Sequence, residues 1–289
     1  MSQRAKAEVL LVVVTFIWGS TFVIVKGALA DASPLPFLAV RFTLAGLLLL
    51  ALLGRSRMDP QAIGGGLVLG VFLFGGYLFQ TWGLTMTTPT KSAFITGFSV
   101  ILVPIILLFS GFRMRAANVI GGLLGLGGIY FLVLPSGVNA VNHGDILTLL
   151  GAISFAIHIV LVGSYTRRFS FLHLVPVQIL VVGLLAALAL PLDPARTLHM
   201  TGRLVFALVV TAVLATGFAF SVQNWAQQYT PPAHTALIFA LEPVFAALTS
   251  RLVIGERLGG RVLLGSVLIL GGMMVSEIWG GTAPSPVEG

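Results

Sequence analysis

The feature of this sequence that most constrains its fold is a succession of long apolar runs separated by short breaks rich in charged residues, proline or glycine. A bilayer core about 30 Å thick requires roughly 20 apolar residues in a helix that crosses it. The runs predict helices near residues 8–28, 34–53, 61–85, 90–110, 117–134, 144–165, 171–191, 203–228, 232–253 and 261–279. Backbone groups in lipid must be hydrogen-bonded internally, and strand-like alternation is missing. The sequence therefore predicts an all-α polytopic membrane protein with ten transmembrane helices.

The composition excludes a water-soluble chain. Of the 289 residues, 57% are hydrophobic and 9% are charged, and the mean hydropathy is +1.04. The net charge of +7 comes from small basic groups between apolar runs, which indicates topology signals and not a surface for nucleic acid. Cysteine is absent, which excludes disulfides, thiolate nucleophiles and cysteine metal sites.

The basic residues of the first half predict the orientation. The first apolar run is longer than the core of a signal peptide and is interpreted as the first span. If the N-terminus is inside, one side of the membrane receives Arg4, Lys6, Arg55, Arg57, Arg113 and Arg115. Cytoplasmic loops are enriched in Lys and Arg, and early helices usually dominate orientation. We predict a bacterial inner-membrane protein with both termini in the cytoplasm.

The second half of the chain repeats features of the first. At a spacing of 143 residues the matching pairs are Trp82 and Trp225, Pro89 and Pro232, Ala93 and Ala236, and Gly122 and Gly265. With small slips the pattern also includes Gly127 and Gly128 with Gly271 and Gly272, and Phe16 with Phe155. We predict two five-helix repeats, residues 1–139 and 140–289. Because five is odd, the second repeat is inverted, an arrangement that places a substrate site near the midplane and permits alternating access.

Three stretches carry a family resemblance. They are WGSTFVIVKGAL at 18–29, RFTLAGLLLL at 41–50 and ALEPVFAALTSRLVIGERL at 240–258. They resemble the EamA family of the drug/metabolite transporter superfamily, and the resemblance covers essentially the whole chain. It implies ten helices in two inverted repeats, cytoplasmic termini and export of metabolites. Within the family, the similarity is closest to YddG-type exporters of aromatic and other hydrophobic amino acids.

Polar residues in the middle of predicted spans are the candidates for a substrate site, because such groups are costly in lipid unless they pair or face water. Two helices at equivalent positions in the repeats carry polar stripes, formed by Tyr77, Gln80, Thr81 and Leu84 and by Thr216, Phe220, Gln223 and Gln227. Two symmetry-related polar faces are suited to a central cavity. The alternative is that these side chains hold helices together by hydrogen bonds.

Five further residues have more than one interpretation. Trp18 either forms a cavity wall and offers its indole N–H to a ligand, or packs in the core. His158 either bonds a neighbour or serves in substrate binding or proton relay. Glu242 is a proton-coupling carboxylate, a partner for a substrate ammonium, or a structural acceptor beside the Pro243 kink. Arg41, like Lys26, is interpreted first as a side chain that reaches outward to the membrane surface and second as a carboxylate anchor.

Small residues predict close helix packing. Gly66 and Gly70, and Gly121 and Gly125, have the small-xxx-small spacing that lets helices approach closely. Phe94 and Phe98 lie one turn apart on the fourth predicted helix and are added to the cavity candidates. The complete candidate set is Trp18, Tyr77, Gln80, Thr81, Phe94, Phe98, His158, Phe220, Gln223, Gln227 and Glu242.

These features predict a secondary transporter that exports small amphipathic metabolites, foremost aromatic and other hydrophobic amino acids. Its predicted partners are that substrate and the lipid bilayer, with no partner protein and no nucleic acid. No phosphate-binding motif, catalytic constellation or metal-ligand cluster is evident, so no cofactor is predicted and an intramembrane enzyme is disfavoured. The alternative is a proton-coupled exporter of drugs or other metabolites.

Overall fold

The computed structural model describes residues 2–53, 59–110, 115–133 and 142–279. In chain order the helices are α1 Gln3–Ala28, α2 Pro34–Leu53, α3 Pro60–Met86, α4 Pro89–Gly97, α5 Ser99–Leu107, α6 Ala116–Val133, α7 His143–Tyr165, α8 Phe171–Leu188, α9 Gly202–Ala212, α10 Ala219–Ala226, α11 Pro232–Phe239, α12 Glu242–Ile254 and α13 Gly260–Trp279. A π-helical segment, Val213–Phe218, joins α9 to α10. Arg55, Arg57 and Arg113, which contribute to the predicted orientation, and the predicted repeat boundary at residue 139 lie outside the described residues.

The all-α prediction is confirmed for the described part of the chain. Eight helical segments there are long and apolar enough to cross a membrane, with α4–α5, α9–α10 and α11–α12 each counted as one segment. Two further apolar stretches, Ala116–Phe131 in α6 and Gly260–Val275 in α13, are shorter. The observed ends of α1, α2, α3, α7 and α12 lie within a few residues of the predicted ones, except that α1 begins earlier, at Gln3.

Two of the predicted spans are broken near their middle. The chain turns at Phe98 between α4 and α5, and at Ala240–Leu241 between α11 and α12. At each break an N–H bonds to the carbonyl three residues earlier instead of four. These bonds run from Phe98 to Ile95 and from Leu241 to Ile238, both at 3.1 Å. Pro243 contributes to the second break because its ring lacks an N–H and clashes with the preceding turn. The kink expected at Pro243 lies beside the second break, whereas the break at Phe98 was not predicted. Each break places a helix N-terminus inside the bundle.

The bundle is assembled by contacts between the two halves of the chain. The most extensive pairings are α6 with α13, α3 with α7 and α8, α2 with α8, and α1 with α12. Glycine permits the closest of these approaches. A Cβ atom added at Gly83 would lie 2.5 Å from the Gly144 carbonyl oxygen, and one added at Gly144 would lie 2.6 Å from that of Gly83. The backbones of α3 and α7 are therefore in direct contact.

One pair in the sequence repeat is not reflected in the packing. Phe16 is 51% exposed on the outer surface, where its ring lies 5.4 Å from that of Phe245. Phe155 instead lies inside the bundle, with its ring 5.3 Å from that of Tyr77. These two phenylalanines do not occupy equivalent sites.

The loop after α1 is bound to the segment that precedes α9. Asp31 accepts hydrogen bonds from the Thr201 hydroxyl at 2.7 Å and from Arg203 Nε at 2.8 Å. A single antiparallel bridge, between Ala32 and Leu198, continues the contact. The hydrogen bond from Arg203 is the largest cause that lowers the pKa of the Asp31 carboxyl from its ordinary 3.8 to about 2.

This carboxylate is expected to contribute pH-dependent stability. Because its pKa is lower in the folded chain, the contribution is present above about pH 4 and is lost as the pH falls toward about 2. Asp31→Asn should therefore lower the melting temperature in detergent slightly at about pH 7, and the difference from the wild type should narrow at about pH 3. Arg203→Gln should have the same effect, with no further loss in the double variant. A difference that is equal at both pH values would contradict this assignment.

Candidate functional site

A cavity lies near the middle of the bundle, between the two halves. The space that centres of water molecules can occupy in it is about 70 Å³. Its wall is formed by aromatic, apolar and polar side chains from both halves of the chain. These are Trp18, Thr21, Phe22, Val25, Arg41, Tyr77, Gln80, Thr81, Leu84, Thr96, Gly97, Ser99, Phe155, His158, Ile159, Phe220, Gln223, Phe239 and Glu242.

The structure brings most of the predicted site residues together at this wall. They are Trp18, Tyr77, Gln80, Thr81, His158, Phe220, Gln223 and Glu242. Two faces predicted from separate helices, the stripes of α3 and α10, therefore meet at one space. Gln80 donates a hydrogen bond from Nε2 to the Thr96 hydroxyl at 3.1 Å, which holds the amide beside the break between α4 and α5.

Three predicted residues do not line the cavity. Phe94 and Phe98 are buried in an apolar cluster with Ile101, Ile269 and Met273. Gln227 donates from Nε2 to the Ile159 carbonyl at 3.0 Å and accepts from Gln223 at the same distance. Its amide therefore joins α10 to α7, which corresponds to the alternative that polar residues of this stripe hold helices together.

Trp18 forms part of the wall, but its N–H is already used. The indole Nε1 donates to the Ala215 carbonyl at 2.8 Å, which attaches α1 to the π-helical segment. The ring lies 5.2 Å from that of Phe220 and 5.1 Å from that of Phe239. The prediction that this N–H is offered to a ligand is wrong, and what the residue presents to the cavity is its apolar surface.

His158 belongs to a buried chain of hydrogen bonds. Its Nε2 lies 2.8 Å from Gln178 Oε1, and Gln178 donates from Nε2 to Asn224 Oδ1 at 3.1 Å. Asn224 in turn donates to the Phe220 carbonyl at 2.9 Å. The chain links α7, α8 and α10 and fixes the imidazole at the cavity wall, so the bonded-neighbour interpretation is observed for one ring nitrogen.

Arg41 turns inward, contrary to the first interpretation of its sequence position. The Nε donates to the Thr216 hydroxyl at 3.0 Å, and one terminal nitrogen lies 3.5 Å from the Tyr77 hydroxyl. The guanidinium also lies over two rings, 4.8 Å from the centre of Tyr77 and 5.0 Å from that of Phe42. Among the described residues, no carboxylate lies within 4.0 Å of it. The sequence feature that could have indicated an inward orientation for Arg41 is its charge within an apolar helix.

Glu242 is the acid of the cavity wall. It begins α12, directly after the break at Ala240–Leu241, while Ser99 lines the same cavity and begins α5 after the break at Phe98. The Glu242 carboxylate has no hydrogen bond or ion pair with any residue that the structure describes, so a structural acceptor role is not observed. Within residues 2–53, 59–110, 115–133 and 142–279, no three His, Asp or Glu side chains are grouped to hold a metal ion.

At one end of the bundle, charged groups close the space above the cavity. We call Lys26, Thr87, Lys91, Asp145 and Glu256 the polar latch. Lys26 Nζ donates to the carbonyls of Leu84, Thr85 and Thr87 at 2.7, 3.2 and 2.9 Å, an architectural contact between the ends of α1 and α3. Lys91 forms an ion pair with Asp145, which also accepts from the Thr87 hydroxyl at 2.7 Å. The Thr90 hydroxyl donates to Glu256 at 2.8 Å. These bonds tie α4 to α7 and to the segment after α12.

The opposite end is joined by more exposed groups. Glu8 on α1 lies 3.1 Å from His234 Nε2 on α11 and 2.8 Å from Arg4 Nε on its own helix. All three side chains are partly or largely exposed. The two ends of the bundle are therefore joined by contacts of different character.

Comparisons with known proteins identify the family. The model of the EamA-like transporter family matches the chain twice, at residues 5–134 and 142–277. An uncharacterized transporter of Archaeoglobus fulgidus is 38% identical over 272 residues, covering 93% of this chain and 84% of that protein. A probable amino-acid metabolite efflux pump of Escherichia coli is 25% identical over 290 residues, covering 96% and 95%.

The fold is also similar to a solved one. A crystal structure with 20% sequence identity has a TM-score of 0.70 and covers 95% of this chain and 98% of its own. That likeness concerns the fold alone. The family matches cover nearly the whole chain, and they coincide with a bundle of membrane-length helices around a mixed polar and aromatic cavity. The chain belongs to the EamA-like transporter family.

Proposed function

We propose that this protein is a secondary transporter that exports small amphipathic metabolites, with aromatic and other hydrophobic amino acids as its main substrates. The observation that carries the proposal is the cavity, in which Arg41, Gln80 and Glu242 stand beside aromatic rings. Such a wall offers apolar area to a side chain and hydrogen bonds to polar groups. The name of the Escherichia coli relative supports the same substrate class.

The proposed architecture is ten spans in two inverted repeats, residues 1–139 and 140–289. The two helix breaks support it, because the segments after them begin at Ser99 and Glu242, which are 143 positions apart. The pairing of α2 with α8 and of α6 with α13 is also what a two-fold relation between repeats would produce. Broken helices that meet at the midplane are typical of binding sites in transporters of this type.

The proposed mechanism is alternating access around the cavity. Contacts join helices at both ends of the bundle, the polar latch at one end and the Glu8–His234 pair at the other, so these contacts must separate in turn for loading and release. We place both termini in the cytoplasm of a bacterium, which puts the polar latch at the outer face of the inner membrane. Loading from the cytoplasm then requires the Glu8–His234 end to open, and release requires the latch to open.

Proton coupling is the second candidate, and export of drugs or other metabolites would fit the same cavity. The observation that favours coupling is Glu242, whose carboxylate lines the cavity without a partner among the described residues. Carboxylates at such positions serve as proton carriers in pumps and transporters. An imposed pH gradient that concentrates substrate would support coupling, and equilibration without accumulation would support facilitated flow.

The proposed function is tested by flux from proteoliposomes loaded with labelled phenylalanine, leucine, glutamate or lysine. We expect the purified protein to release phenylalanine and leucine faster than protein-free vesicles. Tyr77→Ala should lower that flux about tenfold, because the variant removes an aromatic wall and a partner of Arg41. The matched control is Tyr130→Ala, since Tyr130 is 55% exposed on α6. No flux of any amino acid, or equal flux from the two variants, would contradict the proposal.

A further inference from the structure

We propose that Arg41 and Glu242 form a two-point recognition site for a zwitterion, in which Arg41 binds the carboxylate of the substrate and Glu242 binds its ammonium group. The inference rests on the proposed transport of amino acids and adds how the substrate is recognised. It selects molecules that carry both charges over amines and carboxylic acids with the same apolar side chain.

Arg41 provides the site for the carboxylate. Its guanidinium is buried, and its polar contacts are two hydroxyl groups, those of Thr216 and Tyr77. A guanidinium has five N–H donors, so several are not used by these contacts. A cation held away from water is unfavourable unless it is paired, and no carboxylate of the described residues pairs with this one. A substrate carboxylate would supply the missing charge and accept two parallel hydrogen bonds.

Glu242 and Gln223 provide the site for the ammonium group. The Glu242 carboxylate faces the cavity and has no cation within 4.0 Å among the described residues. Gln223 is 1% exposed and lines the same cavity, and its Oε1 has no hydrogen-bond donor in the described structure. A protonated amine has three donors to offer and no acceptor. The cavity wall therefore has acceptors without donors, at Glu242 and Gln223, and unused donors at Arg41.

The two charges are separate from each other. Arg41 and Glu242 face one cavity, yet their charged atoms are more than 4.0 Å apart. A ligand with both a carboxylate and an ammonium group can contact both residues at once, whereas a singly charged ligand leaves one of them unpaired. The rings of Trp18, Tyr77 and Phe220 complete the site, with Phe220 at 5.2 Å from Trp18 and 6.1 Å from Tyr77. They offer a surface to the apolar side chain.

Three probes with the same phenyl ring test this inference. Phenylalanine carries both charges, phenethylamine lacks the carboxylate, and 3-phenylpropionate lacks the ammonium group. In proteoliposomes the wild type should prefer phenylalanine to either analogue by roughly 10- to 100-fold, the effect of one hydrogen-bonded charge. Arg41→Gln should remove the preference for phenylalanine over phenethylamine. Glu242→Gln should remove the preference for phenylalanine over 3-phenylpropionate. The matched control is Arg251→Gln, an exposed arginine on α12, which should keep both preferences.

The change of preference distinguishes recognition from structural damage, because a damaged transporter loses flux for all three probes alike. Arg41→Lys keeps the charge without the planar fork and should retain part of the preference for phenylalanine. Stabilisation of the purified protein by each probe in detergent gives the same comparison without transport. If Arg41→Gln and Glu242→Gln both transport phenylalanine with unchanged preferences, this inference is overturned while the proposed function stands. If the wild type neither transports nor is stabilised by any amino acid, the proposed function fails with it.

Discussion

Gly272→Leu is expected to destabilise the protein strongly, whereas Gly271→Leu, one residue earlier, is expected to be nearly neutral. A Cβ atom at Gly272 would lie 2.5 Å from the Gly121 carbonyl oxygen and 3.0 Å from the Gly125 nitrogen. Both neighbours are backbone atoms of α6, which cannot turn aside as a flexible side chain would. Nothing lies within 4 Å of the corresponding position at Gly271. The contact between α6 and α13 must therefore open in one variant only.

The size of the effect follows from overpacking. Added methylene groups in a packed interface typically lower the free energy of unfolding by about 1–3 kcal/mol, and a leucine against backbone should be at or above the upper end of that range. The melting temperature should therefore fall by roughly 5–10 °C. The measurement is thermal unfolding of the detergent-solubilised variants. Gly128→Leu and Gly127→Leu repeat the comparison from α6. A Cβ atom at Gly128 would lie 2.6 Å from the Gly265 carbonyl oxygen, whereas one at Gly127 would come no closer than 4.0 Å to Leu268. Equal melting temperatures within each pair would contradict the packing.

Asp145→Asn is expected to open the latch end of the bundle. The Asp145 side chain is fully buried, where it pairs with Lys91 and accepts from Thr87. Removal of one partner from a buried ion pair typically costs about 3–5 kcal/mol, because the other charge is left without compensation. The contact between α4 and α7 loses that energy, so the population in which this end is open should rise.

The absence of cysteine from the chain permits a clean measurement. Leu84 lines the cavity and is 2% exposed, so Leu84→Cys should react slowly with a membrane-impermeant maleimide added on the latch side. Combined with Asp145→Asn, the rate should rise about tenfold or more as the open state gains population. The matched control is Asp59→Asn, which removes a carboxylate from the N-terminus of α3 at the other end of the bundle. If both asparagine variants label at the wild-type rate, the latch does not close this end.

Much of the site was predictable from helical spacing. Tyr77, Gln80 and Thr81 recur on one face of α3, and Phe220 and Gln223 on one face of α10, so their placement on a common wall follows from periodicity and the repeat. Gln227 continues the second stripe but bonds the Ile159 carbonyl on α7. Whether a polar residue meets a cavity or a neighbouring backbone depends on the helix packed against it.

Arg41 and Trp18 show the same dependence. The sequence places Arg41 seven residues into α2, a position from which an arginine reaches the surface or turns inward with equal ease. Thr216 and Tyr77, far away along the chain, provide the contacts that favour the inward orientation. Trp18 likewise has its N–H bonded to Ala215, in a π-helical segment that no local pattern indicates. In each case the deciding partner is remote in sequence.

The sequence by itself determined that this chain is helical and apolar, where most of the helices begin and end, and to which family it belongs. Those properties follow from residues close together along the chain, because a helix forms its backbone hydrogen bonds locally and lipid selects for apolar length. The sequence also indicated the second break, through Pro243. The tertiary structure alone decided the break at Phe98, the inward turn of Arg41, the latch around Asp145 and the separation of Arg41 from Glu242. Each of these depends on which helix faces which, and that is settled by packing between residues far apart along the chain, 54 positions for Lys91 with Asp145 and 175 for Arg41 with Thr216.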